Sequence, residues 1–144
     1  MTRRQSPVDV AGWAGEPPGS PAMAAYAKHL QAGHFRIQHC EDCRRHVFYP
    51  RVICPHCASD HLGWIEPAGT GTVYSTTVVR RSDDKGGPYN VALIDLDEGV
   101  RLMSRVEGLS PEAVRIGMRV RVHVAQLNGT AAPVFAAMSE GDKP

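Results

Sequence analysis

The chain lacks any apolar run long enough to cross a bilayer, which excludes a helical membrane span. Its opening Met-Thr-Arg-Arg is followed by neither a hydrophobic stretch nor a small-residue cleavage site. No secretory signal is therefore expected, and the expected compartment is the reducing cytoplasm. An excess of charge is also missing, because 16 basic residues stand against 15 acidic ones for a net charge of +1. Aromatic side chains make up only 6% of the residues. Sequence-tolerant nucleic-acid binding wants a basic groove lined with exposed aromatics, so the single-stranded nucleic-acid module is the weaker alternative. Recognisable catalytic signatures are absent too. There is no G-x-S-x-G elbow and no H-E-x-x-H helix. Cysteine is scarce, with four in 144 residues.

All four fall within one stretch, "HCEDCRRHVFYPRVICPHC", as two C-x-x-C pairs with ten residues between Cys43 and Cys54. Two such knuckles on a short connection can bring four thiolates onto one tetrahedral ion. A thioredoxin-like centre needs one pair and leaves the second unexplained. Ligand identity alone leaves iron open, but structural zinc through Cys40, Cys43, Cys54 and Cys57 is the expectation. His39, His46 and His56 lie beside a set that is already full, and they read as exposed. A segment of roughly forty residues buries too little to fold unaided. Zinc is worth on the order of 10–16 kcal/mol in such modules, so the ion would be structural and no cysteine would remain as a nucleophile.

The flanking chain divides into five parts. Residues 1–19 are rich in proline and glycine, without periodicity, and read as a flexible tail whose one large side chain is Trp13. Residues 20–36 carry a helix: Ser20 can cap it, Pro21 suits its first position, and Gly33 its stop. Met23, Tyr26, Ala27 and Leu30 form one apolar stripe on that helix. The stripe can pack on the chain's own ribbon or dock a partner, and with Trp13 it is read as a docking face. Residues 37–65 hold the ribbon, residues 66–138 a β domain, and residues 139–144 a flexible C-terminus.

Within the β domain the apolar period changes to two. "TGTVYSTTVVRR", "YNVALIDLD", "VRLMSRVEG", "MRVRVHVAQ" and "APVFAAM" read as five strands. Gly99 turns the second strand into the third, "SPEAVRIG" supplies one helical turn, and "LNGTAAP" makes the last hairpin. Five strands with a short helix after the third match the Greek-key barrel called the OB-fold, which is favoured over a sandwich of about seven strands. The fold class is mainly β: an N-terminal helix, a rubredoxin-like zinc ribbon and a five-stranded barrel.

The ordered motifs Gln38–Cys43, Phe48–Cys57, Gly69–Arg80, Tyr89–Met103 and Val114–Val120 resemble the zinc-ribbon/OB-fold family of acyl-CoA-associated proteins called domain of unknown function 35. The resemblance covers roughly residues 22–137. Arg44 and Ala58 stand where such knuckles commonly carry glycine. What the resemblance implies is a non-catalytic subunit of a thiolase-fold complex that acts on acyl-CoA or acylated aromatic substrates. Its reactions would be acyl transfer, such as phloroglucinol acylation, or retro-aldol and thiolase chemistry. Catalytic residues would sit in the partner chains, and CoA or an acyl-CoA could contact this chain through the complex. The candidate ligand site is the connection "RRSDDKGGPY". There Arg80, Arg81 and Lys85 can address phosphates and Tyr89 can stack on a base, against the plainer reading of a mobile charged loop. Asp95, Asp97 and Glu98 form a carboxylate group that reads as a solvated hairpin.

Overall fold

The structure, a computed structural model, describes residues 20–138. The tail with Trp13 and the last six positions, 139–144, lie outside the described residues.

Helix α1 (Pro21–Gln31) begins where Ser20 Oγ accepts from the amides of Ala22 at 3.1 Å and Met23 at 3.4 Å. It ends at Gly33, which takes φ +90°, while Gly33 N donates to Leu30 O and His34 N to His29 O, both at 2.9 Å. That pair of bonds is the Schellman stop, and it satisfies carbonyls a helix end would otherwise strand. Strands β1 (Ile37–Cys40), β2 (His46–Val47) and β3 (Leu62–Ile65) then form a small antiparallel sheet in the order β2-β1-β3.

The β domain contains β4 (Thr70–Val79), β5 (Tyr89–Leu96), β6 (Arg101–Ser104), β7 (Val106–Glu107), β8 (Arg119–Leu127) and β9 (Thr130–Ala137). They run β6-β5-β4-β8-β9-β7 across the sheet. The two ends of that order are halves of one chain segment broken only at Arg105. β6 pairs with β5 antiparallel and β7 pairs with β9 in parallel, so the broken strand closes the sheet into a barrel. Closure removes the free edges that an open sheet would expose. β4 serves two neighbours by bending at a bulge between Val73 and Ser75. Gly71 is required there, because a Cβ would stand 2.6 Å from Asp95 O. The five sequence segments thus make the expected OB-type barrel, with the third divided. The single helical turn appears as the short 3-10 segment Pro111–Ala113.

One core joins the parts. Tyr26 and Leu30 of α1, with Phe35 and Ile37 at the ribbon's entry, pack together with Val73, Ile94, Leu102, Val120 and Phe135 of the barrel. The stripe read as a docking face lies in this core instead of standing free: Tyr26 is 9% exposed and Leu30 5%, and Met23 packs on the same cluster. The stripe packs on apolar side chains of the chain's own barrel, among them Val73, Ile94 and Phe135. Burial also raises the Tyr26 hydroxyl's pKa, with Tyr49 adding to the effect. The ribbon's private core is much smaller and consists of Cys40, Val47 and Cys54, with Cys43 and Leu62 against them.

Candidate metal centre and ligand loop

Both knuckles fold by the same local device. Arg44 N donates to Cys40 O and Ala58 N to Cys54 O, each at 2.9 Å, and both residues take φ +68°. Left-handed backbone costs a non-glycine residue roughly 1–2 kcal/mol, which is why glycine is common at these positions. Backbone amides face the sulfurs: Cys43 N lies 3.4 Å from Cys40 Sγ, and His56 N 3.4 Å from Cys54 Sγ. The second knuckle's approach is held by buried Gln38. Its Nε2 donates to Arg51 O and its Oε1 accepts from Arg51 N, both at 2.7 Å.

These turns bring all four Sγ atoms within 4.8 Å of one another. Cys40 and Cys57 are 3.6 Å apart, Cys43 and Cys54 3.7 Å. Four sulfurs about 2.3 Å from a shared centre stand about 3.8 Å apart on a tetrahedron, so the geometry fits one zinc-sized ion with no position left open. Protonation argues the same way. The Cys43 amide draws the Cys40 thiol down to about 6. At Cys57 the Ser59 amide also lowers the pKa, but burial and the neighbouring sulfurs prevail and push it up to about 12. The Cys40 thiolate forms readily and holds the Cys43 and Cys57 thiols up. A dication resolves that conflict, since it holds all four as thiolates and releases their protons.

The loop after β4 folds back on itself through a short turn and contacts of Arg81. Asp83–Lys85 form a 3-10 turn that stops at Gly86, φ +105°. Arg81 Nε donates to Gly87 O at 2.7 Å, and its guanidinium lies 4.5 Å from the Tyr89 ring centre. Gly86 suits this stop because φ +105° is a backbone that L side chains rarely adopt. Arg105, at the break between β6 and β7, lies 5.3 Å from the same ring. The structure therefore gathers Arg81, Tyr89 and Arg105, while Arg80 turns away to Glu112 at 3.5 Å and Lys85 stands exposed. Arg105 was missed in the sequence. Its signal is the strand interruption, which reads as ordinary alternation until pairing is known. Tyr89, Arg105 and Met103 also line a cleft of about 290 Å³ with Tyr26, Phe48 and Tyr49, where helix, ribbon and barrel meet.

The carboxylate group is held by ion pairs rather than merely solvated. Asp97 takes two hydrogen bonds from Arg119, at 2.8 and 2.9 Å, and one from the Thr70 hydroxyl. Arg119 and Thr70 hold its carboxyl down at about 2. Asp95 accepts from Arg101 at 2.6 Å, and Glu98 accepts from Ala68 N at 2.9 Å. No helix among the described residues is long and apolar enough to cross a membrane.

A four-cysteine ribbon sharing one core with a closed five-stranded barrel defines a zinc-ribbon/OB-fold protein. Residues 27–62 match the profile described as the ChsH2 rubredoxin-like zinc ribbon domain, and residues 64–125 match the ChsH2 C-terminal OB-fold domain. The chain belongs to this ChsH2-type family, that of domain of unknown function 35 (DUF35). It is similar to the solved "Ltp2-ChsH2(DUF35) aldolase", with a TM-score of 0.73 and 32% identity, covering 83% of this chain and 98% of that one. It is 41% identical over 86 residues to a probable enoyl-CoA hydratase alpha subunit of Thermomonospora curvata, covering 58% of this chain and 27% of that protein. A DUF35 domain-containing scaffold protein of Methanocaldococcus jannaschii is 36% identical over 85 residues, covering 56% of this chain and 60% of that protein. The chain thus spans about a quarter of the first of these curated relatives and less than two thirds of the second.

Proposed function

We propose that this chain is a non-catalytic, zinc-stabilised subunit of a thiolase-like complex that makes or breaks carbon–carbon bonds on acyl-CoA-type substrates. The observation that carries the reading is the match to the DUF35 chain of an aldolase over 98% of that chain. The chemistry of the described residues supports it. The four thiols converge on one metal position, and Asp95 and Asp97 are committed to Arg101 and Arg119. What remains is a rigid barrel that can cover a partner's surface and contact its substrate. Arg81, Lys85 and Tyr89, with Arg105 beside them, are the groups suited to the phosphates and base of CoA, and Arg80 stands at the loop's margin. A strand-stacking role is disfavoured, because guanidinium groups already cover Tyr74 and Tyr89.

The test is co-expression with a thiolase-fold partner, followed by size-exclusion chromatography and an acyl-transfer or carbon–carbon cleavage assay. Co-elution with activity that requires both chains is the expected result. Turnover by this chain alone, or full activity of the partner without it, would overturn the proposal. Charge reversal at Arg81 and Lys85 should raise the KM for the CoA substrate and leave co-elution intact.

A further inference from the structure

The ribbon sheet has two faces. One carries Cys40, Val47 and Leu62 toward the cysteine cluster. On the other, His39 of β1 and His46 of β2 are direct cross-strand partners with ring centres 4.9 Å apart. His39 pairs on its far side with Gly63 of β3, so the row across the sheet reads His46, His39, Gly63. The bare glycine leaves room above β3 that Glu41 fills: its Oε2 lies 3.4 Å from where a Gly63 Cβ would stand. Directly opposed residues share a face, and Glu41, in the turn after β1, reaches that face above Gly63. Two imidazoles and one carboxylate therefore occupy a single side of a stiff sheet.

The histidines are half-buried, and each interacts with the other ring and with no hydrogen-bond partner among the described residues. Opposed Cβ atoms about 4.5–5.5 Å apart allow two imidazoles to reach one ion at roughly 2.0–2.1 Å each. We propose that His39, His46 and Glu41 form a second metal site, separate from the cysteine cluster, for a borderline divalent transition ion such as Ni2+, Cu2+ or Zn2+. Imidazole with carboxylate is the donor chemistry for such ions, whereas the four sulfurs select softer binding. The cysteines are the only group of three or more donors already converged among the described residues, so Glu41 must turn about its side-chain torsions to close the second site. Three protein ligands leave a coordination position for water.

The experiment is calorimetric titration of untagged, zinc-loaded full chain with Ni2+, with elemental analysis of the protein afterwards. One nickel per chain should bind while zinc stays in place. Changes outside the ligand shell already cost 10–100-fold in metal affinity elsewhere, so His46→Ala should weaken nickel by at least about tenfold. Glu41→Gln should weaken it less, and His123→Ala should leave it unchanged. If His46→Ala loses zinc, and with it the ribbon, His46→Asn and Glu41→Gln decide in its place. No nickel bound, nickel that enters only by displacing zinc, or unaltered binding by these variants would overturn the site.

Discussion

At Arg44 and Ala58 the chain accepts an unfavourable backbone to place two amides against sulfur, so each position carries removable strain. Ala58→Gly should raise stability by about 0.5–1 kcal/mol, because the left-handed penalty outweighs the extra freedom that glycine gives the unfolded chain. Urea denaturation of the zinc-loaded protein would measure it. Cys54→Ser should instead leave zinc unbound in elemental analysis and unfold the ribbon, whose own core is little more than Cys40, Val47 and Cys54. Asp97 gives a pH signature. Its carboxyl titrates at about 2 in the folded chain, against 3.8 for the unperturbed group. Stability from a lowered carboxylate is present above the unfolded pKa and fades as pH falls through the folded one. The loss should therefore lie between about pH 4 and 2, and after discounting for solvent around a partly exposed pair it should be about 1 kcal/mol. Asp97→Asn should flatten that portion of a Tm-against-pH curve. The cysteine ligands were legible because spacing alone fixes how two knuckles can converge. Arg105 and the ion pairs of Asp95 and Asp97 were not, since their partners are 6 to 22 residues away and are set by strand register.

Among the elements, the five strands and the capped helix could be read from period, cap and turn residues. What covers α1 could not. An amphipathic stripe states that a face will be buried and is silent about against what. Leu30, 5% exposed in the shared core, now makes the distinction measurable. Leu30→Ala should cost about 2–5 kcal/mol in the isolated chain, the usual range for emptying a packed site. A helix held only by a partner would give no such loss. Barrel closure hangs on a second hidden element, buried Asn90. It donates to Thr76 Oγ1 at 2.6 Å and accepts from Val106 N at 2.9 Å, tying β4 and β5 to β7. Asn90→Leu should strip those bonds and leave the Val106 amide unpaired, a loss of about 1–3 kcal/mol seen in denaturation.

For the whole molecule, burial of α1 changes where a partner contact must be sought. Removing residues through Gly33 would take Tyr26 and Leu30 from the core, so lost binding after that deletion would report only unfolding. Ser20 caps the helix from its own side chain, and a cut after residue 19 keeps that cap, the helix and every core residue named above in the chain. The informative variants are therefore deletion of residues 1–19 and Trp13→Ala. A lone tryptophan at an interface is the kind of anchor that contributes disproportionately, and truncating one costs about 2 kcal/mol or more, near 30-fold in affinity. We expect both variants to match the full chain in zinc content and Tm, and to bind the proposed thiolase-fold partner about 30-fold more weakly by calorimetry. Unchanged affinity would remove the tail from the interface and return attention to the cleft rimmed by Tyr49 and Met103, which are 48% and 59% exposed.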